Sequence, residues 1–377
     1  MAAASTALVV GAGIAGMTAA GELARAGIEV DLVEREPEPV FRGIGILLLP
    51  PAVRSMQMLG LAQACLERGF PQVDVATFTA GGTEIARAPM RALTDDGLPP
   101  AIGIARTAFG DVLQDRADAG GVRLRCGLTV EAIDDDGSGA DVRFTDGSSG
   151  RYDLVVGADG LRSTVRAMAF PGQPEPYHIG QSVWRVLVGA RPPEVNGQML
   201  FLGGQTRAGF NAILPDDMYL YCVHPSGEGD PQPGQAESHA RLMGLLEEYG
   251  GLVGEVRDLL TPDRPLHYGP LYTSFVEGPW HRGRVVLIGD AAHATPPHLA
   301  SGAGIAIEDA IVLARCLRDE ATVPAAFDAF MDRRYERCRM VIENSRTLAR
   351  WDLDPDAPKG EAAALMTGTW IALAEPI

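Results

Sequence analysis

The stretch Ala7-Leu8-Val9-Val10-Gly11-Ala12-Gly13-Ile14-Ala15-Gly16 reads as a short apolar strand that runs into a glycine turn and then a helix. Residues 14–26 keep helical spacing up to Gly27, and residues 28–33 are again β-branched and apolar, so residues 7–34 form a β-α-β unit. Such a unit implies a parallel sheet with a right-handed crossover. Gly11 permits the tight turn, Gly13 lets a pyrophosphate approach the backbone, and Gly16 allows close helix–strand packing; Ala15 shares the turn. The helix N-terminus supplies N–H donors to the same anion. Glu34 closes the second strand 23 residues after Gly11, where a carboxylate can accept both hydroxyls of an adenosine ribose. A free 2′-hydroxyl read by Glu34 points to FAD or NAD at this site rather than NADP.

Two further motifs lie downstream. Gly157-Ala158-Asp159-Gly160-Leu161-Arg162-Ser163-Thr164-Val165-Arg166 follows a strand predicted over 152–156 and places one acid and two arginines on a turn into a helix. Gly289-Asp290-Ala291-Ala292-His293 follows a strand predicted over 284–288, then passes Pro296-Pro297 and Gly302-Ala303-Gly304 into a helix bearing Glu308-Asp309. An aspartate ending a parallel strand can hold a ribityl hydroxyl. Glycines at a helix N-terminus can present N–H groups to a flavin oxygen or a phosphate. Within the last motif, His293 reads as a packing and hydrogen-bonding residue rather than a base.

Between these motifs the periodicity changes. Helices are predicted over 51–59 and 107–119, and strands over 122–125, 129–134 and 141–144. Residues 182–189, 198–202, 209–214 and 218–223 form short strands divided by Gly, Pro and Asp, the signature of an antiparallel sheet. Long helices follow over 301–317 and 324–346, and a short one over 361–374. The expected organisation is a discontinuous nucleotide-binding domain (1–70, 100–175 and 280–350), a β-sheet substrate domain (71–99 and 176–279) and a C-terminal helical cap (351–377).

Composition narrows the function. The 377 residues are 46% hydrophobic, ample for two domains at about 150 residues each. Asp and Glu total 49 against 32 basic residues, a net charge of −17, which argues against nucleic acid and anionic membranes as partners. Lys359 is the only lysine, and it lies in none of the motifs that Schiff-base enzymes, pyridoxal phosphate enzymes or P-loop NTPases require. Five cysteines without CxxC spacing predict reduced thiols in a cytoplasm and no metal site. No signal peptide and no apolar run of about 20 residues is present.

With its three motifs in this order, the chain resembles the single-component FAD-dependent aromatic hydroxylases, the group A flavoprotein monooxygenases similar to p-hydroxybenzoate, salicylate and urate hydroxylases. The resemblance extends to about residue 350. It implies an α/β fold: a Rossmann-like FAD-binding domain, an inserted, mostly antiparallel β-sheet substrate domain and C-terminal helices. It also implies bound FAD, NADH or NADPH as a transient donor, dioxygen, and hydroxylation of a small aromatic or N-heteroaromatic ring through a C4a-hydroperoxyflavin. A single GxGxxG agrees with transient use of the donor, and no catalytic lysine is needed. Homodimers are common in the family.

By the same resemblance Gly11, Gly13, Ala15 and Gly16 cradle the cofactor, Glu34 and Arg35 meet the adenosine, and Val130 contacts adenine through its backbone. Arg106 contacts the ribityl-phosphate side, Asp159 supports the pyrophosphate and the nicotinamide approach, and Asp290 binds ribityl or pyrophosphate. Gly302, Ala303 and Gly304 meet the flavin, and the Pro297 carbonyl lies beside the hydroperoxide. Arg42 has two readings, a contact to flavin or phosphates or a solvated cation. Ala300-Ser301 depart from the family's glycine-containing pattern, and their side chains would crowd the flavin edge. Substrate candidates on the inserted sheet are Arg185, Arg207, Tyr219, Tyr221, His224 and Tyr272, with Tyr219 and Tyr221 on one face. A flavin-dependent halogenase would need a lysine between flavin and substrate. A geranylgeranyl-type reductase would use the cofactor without oxygen, and a non-catalytic relative of GDP-dissociation inhibitors could dispense with the third motif.

Overall fold

The three motifs converge because of strand order. In a computed structural model that describes residues 3–230 and 233–377, a six-stranded sheet runs His281–Arg282, Val285–Leu287, Leu154–Gly157, Thr6–Val10, Glu29–Glu34, Arg123–Cys126. All its pairings are parallel except the first. Val9 lies between Val156 and Leu32, and residues 7–10 are almost completely buried, as a parallel strand covered on both faces must be. Thr6–Val10, Leu154–Gly157 and Val285–Leu287 are adjacent. Their carboxyl ends carry Gly11, Ala158 and Gly289, which is where ligands bind in such sheets.

The strand expected over 152–156 is two strands. Ser149–Tyr152 joins a three-stranded antiparallel sheet, and Leu154–Gly157 enters the parallel one. Asp153 makes the break, its carboxylate accepting the N–H groups of Ser5 at 2.6 Å and Thr6 at 3.0 Å.

A seven-stranded sheet runs Leu266–Thr273, Tyr177–Leu187, Met218–Pro225, Arg207–Ala212, Gln198–Leu202, Asp74–Thr79, Glu84–Pro89. Alternation divides its faces. Trp184, Val186, Phe210, Leu220 and Cys222 are buried in one core with Leu242, Leu246, Val253 and Val256 from the helices Gln235–Leu246 and Gly251–Leu259. Those two helices were not predicted; they lie in a stretch read as strands and turns. Register places Arg185 beside Tyr221 and His267, and Asn211 beside Tyr219, on the opposite, polar face. A small sheet of Gly45–Leu48, Ala101–Ala105 and Gly69–Gln72 abuts this unit so tightly that a Cβ on Gly103 would lie 1.9 Å from the Ala212 carbonyl oxygen.

Gly302–Asp319 forms the helix expected over 301–317. The next helix, Val323–Leu353, continues past the predicted end at 346 and carries Asp352 to the polar face of the seven-stranded sheet, where it meets Arg207. Lys359–Ala374 folds back, its C-terminal carbonyls accepting from Arg54 and Arg337. Among the described residues no helix is long and apolar enough to cross a membrane.

Candidate active site

The first turn is built around its glycines. Gly11 has φ +101°, and a Cβ there would lie 2.6 Å from the Ala158 carbonyl oxygen; one on Gly16 would lie 1.8 Å from the Gly11 oxygen. Gly13 faces open space and caps the helix Ile14–Arg25 without a side-chain hydrogen bond or an acidic first turn, so its leading N–H groups are available to an anion. Glu34 is held ready, accepting the Ala12 N–H at 2.8 Å and the Glu36 N–H at 3.1 Å. Arg35 and Arg42 are mostly exposed and pair with Glu36, at 3.8 and 2.9 Å. Ala15 packs under Gly289, where a Cβ would come within 2.8 Å of it, and Val130 is buried opposite Phe144.

Asp159 lies against the first turn, its Cα within 2.8 Å of where a Cβ on Gly11 would sit. Its carboxylate accepts the N–H groups of Thr164 at 2.7 Å and Val165 at 3.1 Å and the Ser163 hydroxyl, so it caps the helix Thr164–Ala169. The carboxylate thereby orders the exposed first turn of that helix beside the Gly11 turn. Arg166 is buried and donates to the carbonyls of Ala291 at 2.8 Å and Leu161 at 2.7 Å, stapling the second motif to the third.

Asp290 is reached by water yet surrounded by protein, and loss of bulk solvent raises its carboxyl pKa while His293 and Arg106 pull it down. Arg106 lies against Gly43 and its Nε approaches the Gly45 carbonyl at 3.4 Å. His293 is a structural residue, as expected. Its Nε2 lies 2.6 Å from Asp309, which also accepts from Arg334 Nε at 2.8 Å and the Gly289 N–H at 2.9 Å. Cys338 completes a buried His–Asp–Cys cluster, but the Arg334 guanidinium already supplies its cation.

The loop beyond differs from expectation. The Pro297 carbonyl accepts the Ala300 N–H at 2.9 Å, closing the tight turn Pro297–Leu299, and retains a second lone pair. Ala300 has φ +49°, the only positive φ outside glycine among the described residues. Its side chain does not crowd an open edge; it packs with Leu47, Leu49 and Trp370, while the buried Ser301 hydroxyl donates to the Leu299 carbonyl at 2.8 Å. Gly302 and Gly304 have little room, a Cβ meeting Thr295 at 3.0 Å and Ala52 at 3.4 Å, and Ala303 packs on the main core.

The polar sheet face gathers most substrate candidates. Arg185 has no ion-pair or hydrogen-bond partner among the described residues; burial lowers its pKa, Tyr219 and Tyr221 oppose that, and Arg106 adds to it. Tyr219 is buried beside Gly45 and accepts from Asn211 Nδ2 at 3.1 Å; burial raises its pKa, while Arg185 and Arg106 lower it. Burial likewise raises the Tyr221 pKa. Arg207 is ion-paired with Asp352. Two candidates fall outside. His224 is on the apolar face, 6.3 Å from the Trp184 ring, because its register partner is Ser182 and not Arg185. Tyr272 lies beyond an irregularity at the sheet's end, edge-on to His178 and beneath Arg162.

Sequence reading missed four residues of this face: His267, Asn211, His298 and Asp352. Asn211 and His267 depend on cross-strand register, and Asp352 on helix length. His298 alone stood beside a recognised motif residue.

The residues present fit FAD. The open Gly13 cradle, the pre-aligned Glu34 and the accessible Asp290 with Arg106 nearby offer donors and acceptors for a pyrophosphate, a ribose and a ribityl chain. Residues 4–345 match the protein family described as FAD binding domain. The aurachin C monooxygenase/isomerase of Stigmatella aurantiaca is 32% identical over 90% of this chain and 88% of its own. The 2-heptyl-3-hydroxy-4(1H)-quinolone synthase of Pseudomonas aeruginosa is 31% identical over 92% of this chain and 90% of its own. Klebsiella pneumoniae HpxO, solved with FAD and uric acid, superposes with a TM-score of 0.88 at 23% identity, covering 98% of this chain and 97% of that one.

Proposed function

Because this chain belongs to the FAD-binding-domain family of flavoprotein monooxygenases, we propose that it uses NADH or NADPH and dioxygen to hydroxylate a small aromatic or N-heteroaromatic ring. FAD supplies the redox chemistry, carrying electrons from the nicotinamide to dioxygen. The protein supplies position and charge. Gly11, Gly13 and Gly16 with the helix N-terminus take the pyrophosphate, Glu34 the adenosine ribose, and Asp290 the ribityl chain with Arg106 nearby. Gly302, Ala303 and Gly304 border the flavin ring.

One observation carries the reading: Arg106 and Tyr219 meet at one segment, Arg106 Nε 3.4 Å from the Gly45 carbonyl and the Tyr219 ring 2.5 Å from where a Cβ on Gly45 would sit. The cofactor cradle and the polar face therefore share one space. Arg185 has no protein acid and suits an anionic group or ring oxyanion, and Tyr219 and Tyr221 line a planar substrate. The relatives that act on quinolones and urate support a heteroaromatic ring.

The test is a screen of phenols and N-heteroaromatic acids against the purified yellow protein, following NADH and NADPH oxidation, oxygen uptake and product mass together. A compound should accelerate donor oxidation and gain one oxygen atom. Donor oxidation without oxygen uptake would favour a reductase instead, and a protein that releases no FAD on denaturation would overturn the reading.

A further inference from the structure

A cavity of about 590 Å³ lies between the start of the strand Tyr177–Leu187 and the long helix Val323–Leu353. Small-molecule sites commonly measure about 300–1,000 Å³. An irregular stretch of the strand borders it: pairing with Leu266–Thr273 holds at His178, resumes at Ser182, and Gly180 between them has φ +81°. The lining is cationic and aromatic. Arg346 lies over the Tyr177 ring, 5.4 Å from its centroid, and its Nε donates to Thr273 Oγ1 at 3.1 Å. Arg350, one turn on, is exposed and donates to the Thr347 hydroxyl at 3.1 Å. Neither arginine is ion-paired among the described residues, and Glu343, the one acid that lines the cavity, is taken by Arg339 at 3.1 Å. Tyr177 is 49% exposed, so much of its ring is bare. From here rings and cations continue to the second motif. His178 meets Tyr272 edge-on at 5.4 Å, and the exposed Arg162 guanidinium lies 5.9 Å from the same Tyr272 ring. Arg162 stands on the turn whose Asp159 abuts Gly11.

We propose that this cavity docks the adenosine-phosphate end of the nicotinamide donor, with Arg346 and Arg350 on its phosphates and Tyr177 against its adenine. This docking rests on the hydroxylase reading above, in which FAD fills the cradle of Gly11, Gly13 and Gly16. The sequence has one such cradle, so the donor's phosphates need a second set of donors. Two guanidiniums free of protein acids present forked N–H groups that match phosphate oxygens. On a chain of net charge −17 they also form a local exception that draws an anion in. Arg346 covers one face of Tyr177, which leaves the other for a planar base to stack on. A bare phosphate would use the arginines but gain nothing from the ring. Past His178 and Tyr272, Arg162 marks the way for the nicotinamide end toward the carboxyl edge of the parallel sheet, where the flavin belongs. The cavity is also tied to the third motif: Thr273, which accepts from Arg346, donates its hydroxyl to the Ala294 carbonyl at 2.9 Å.

The experiment titrates FAD-loaded wild type, Arg350→Glu and Tyr177→Ala with ADP-ribose by calorimetry, and measures the KM for NADH and NADPH in the same proteins. Both replaced side chains are exposed, so folding and FAD content should hold. ADP-ribose should bind wild type and compete with the donor. Arg350→Glu should weaken ADP-ribose and raise the donor KM by about tenfold or more, and Tyr177→Ala should do both by about fivefold or more. ADP-ribose binding that is unchanged in both variants overturns the site. Weakening in Arg350→Glu but not in Tyr177→Ala marks a simple anion site and overturns the nucleotide assignment. Weakened ADP-ribose with an unchanged donor KM means that the occupant is another nucleotide, and overturns the donor assignment alone. If neither donor reduces the FAD of wild type, the hydroxylase reading fails and the donor assignment falls with it.

Discussion

Two clusters here combine Arg, Asp and His, and they treat them in opposite ways. Around Asp309 the set is dry and closed: Arg334 donates to Asp309, Glu308, the Ile305 carbonyl and Cys338, and His293 and the Gly289 N–H complete Asp309. Around Asp352 it is left open, with Arg207 partly exposed and the imidazole of His298 unmatched. A buried network whose carboxylates are all paired, with only His293 Nδ1 unmatched, holds the third motif against the long helices. At Asp352 one carboxylate oxygen and both imidazole nitrogens of His298 are left unmatched.

The largest test of that contrast is Arg334→Met against Arg207→Met. Stranding Glu308 and Asp309 in the core should remove about 3–5 kcal/mol of stability, read as the denaturant midpoint. Losing Arg207 should move the same midpoint less, by about 1–3 kcal/mol, since Arg207 borders solvent although Asp352 is only 8% exposed. Equal losses would erase the distinction.

Next, Asp290→Ala should fold normally and lose FAD on gel filtration, because its accessible carboxylate serves a ligand and not the core. Retention of full flavin absorbance would remove Asp290 from the site.

The closed cluster also predicts a pH dependence. Burial pushes the Asp309 carboxyl up, but His293 and Arg334 outweigh it and hold it at about 2 against 3.8. Its stabilisation is therefore present above pH 3.8 and lost as pH falls toward about 2. For His293 burial opposes the charge, while Cys338 and Asp309 raise its pKa well above 6.5. That stabilisation is complete below 6.5 and lost as pH rises through the folded value. Unfolding midpoints measured across pH should decline at both ends. In Arg334→Met the acid decline should begin at higher pH.

The smallest effect belongs to the loop that joins the clusters. Ala300→Gly relieves a left-handed backbone worth about 1–2 kcal/mol, offset by about 0.4–1 kcal/mol of added freedom in the unfolded chain and by one lost methyl contact. A gain below about 1 kcal/mol in thermal unfolding is expected, and a loss would mean that the methyl packing dominates.

Much of the frame was legible. Gly11 and Gly16 announce the first turn because nothing larger fits, and the apolar runs ending at Gly157 and Gly289 announce the strands beside it. The substrate side was less legible for a physical reason: alternation tells which residues share a face within one strand, but not which face a neighbouring strand presents. Hence Tyr219 and Tyr221 share a face by alternation, which also puts His224 of the same strand on the other one, whereas the pairing of Tyr221 with Arg185 depends on register. For Asp159, only the positions of Ser163, Thr164 and Val165 reveal that its carboxylate also orders the start of the next helix.

From residue order alone come the β-α-β start, the three motifs, the cofactor class and the exclusion of lysine chemistry, because each depends on local backbone demands or on which functional groups exist at all. Tertiary structure alone decided that Arg207 is paired, that Arg185 has no ion-pair partner among the described residues and that His298 lies beside Asp352. Those facts depend on strand register and on where a long helix ends, which side chains distant in sequence settle by packing.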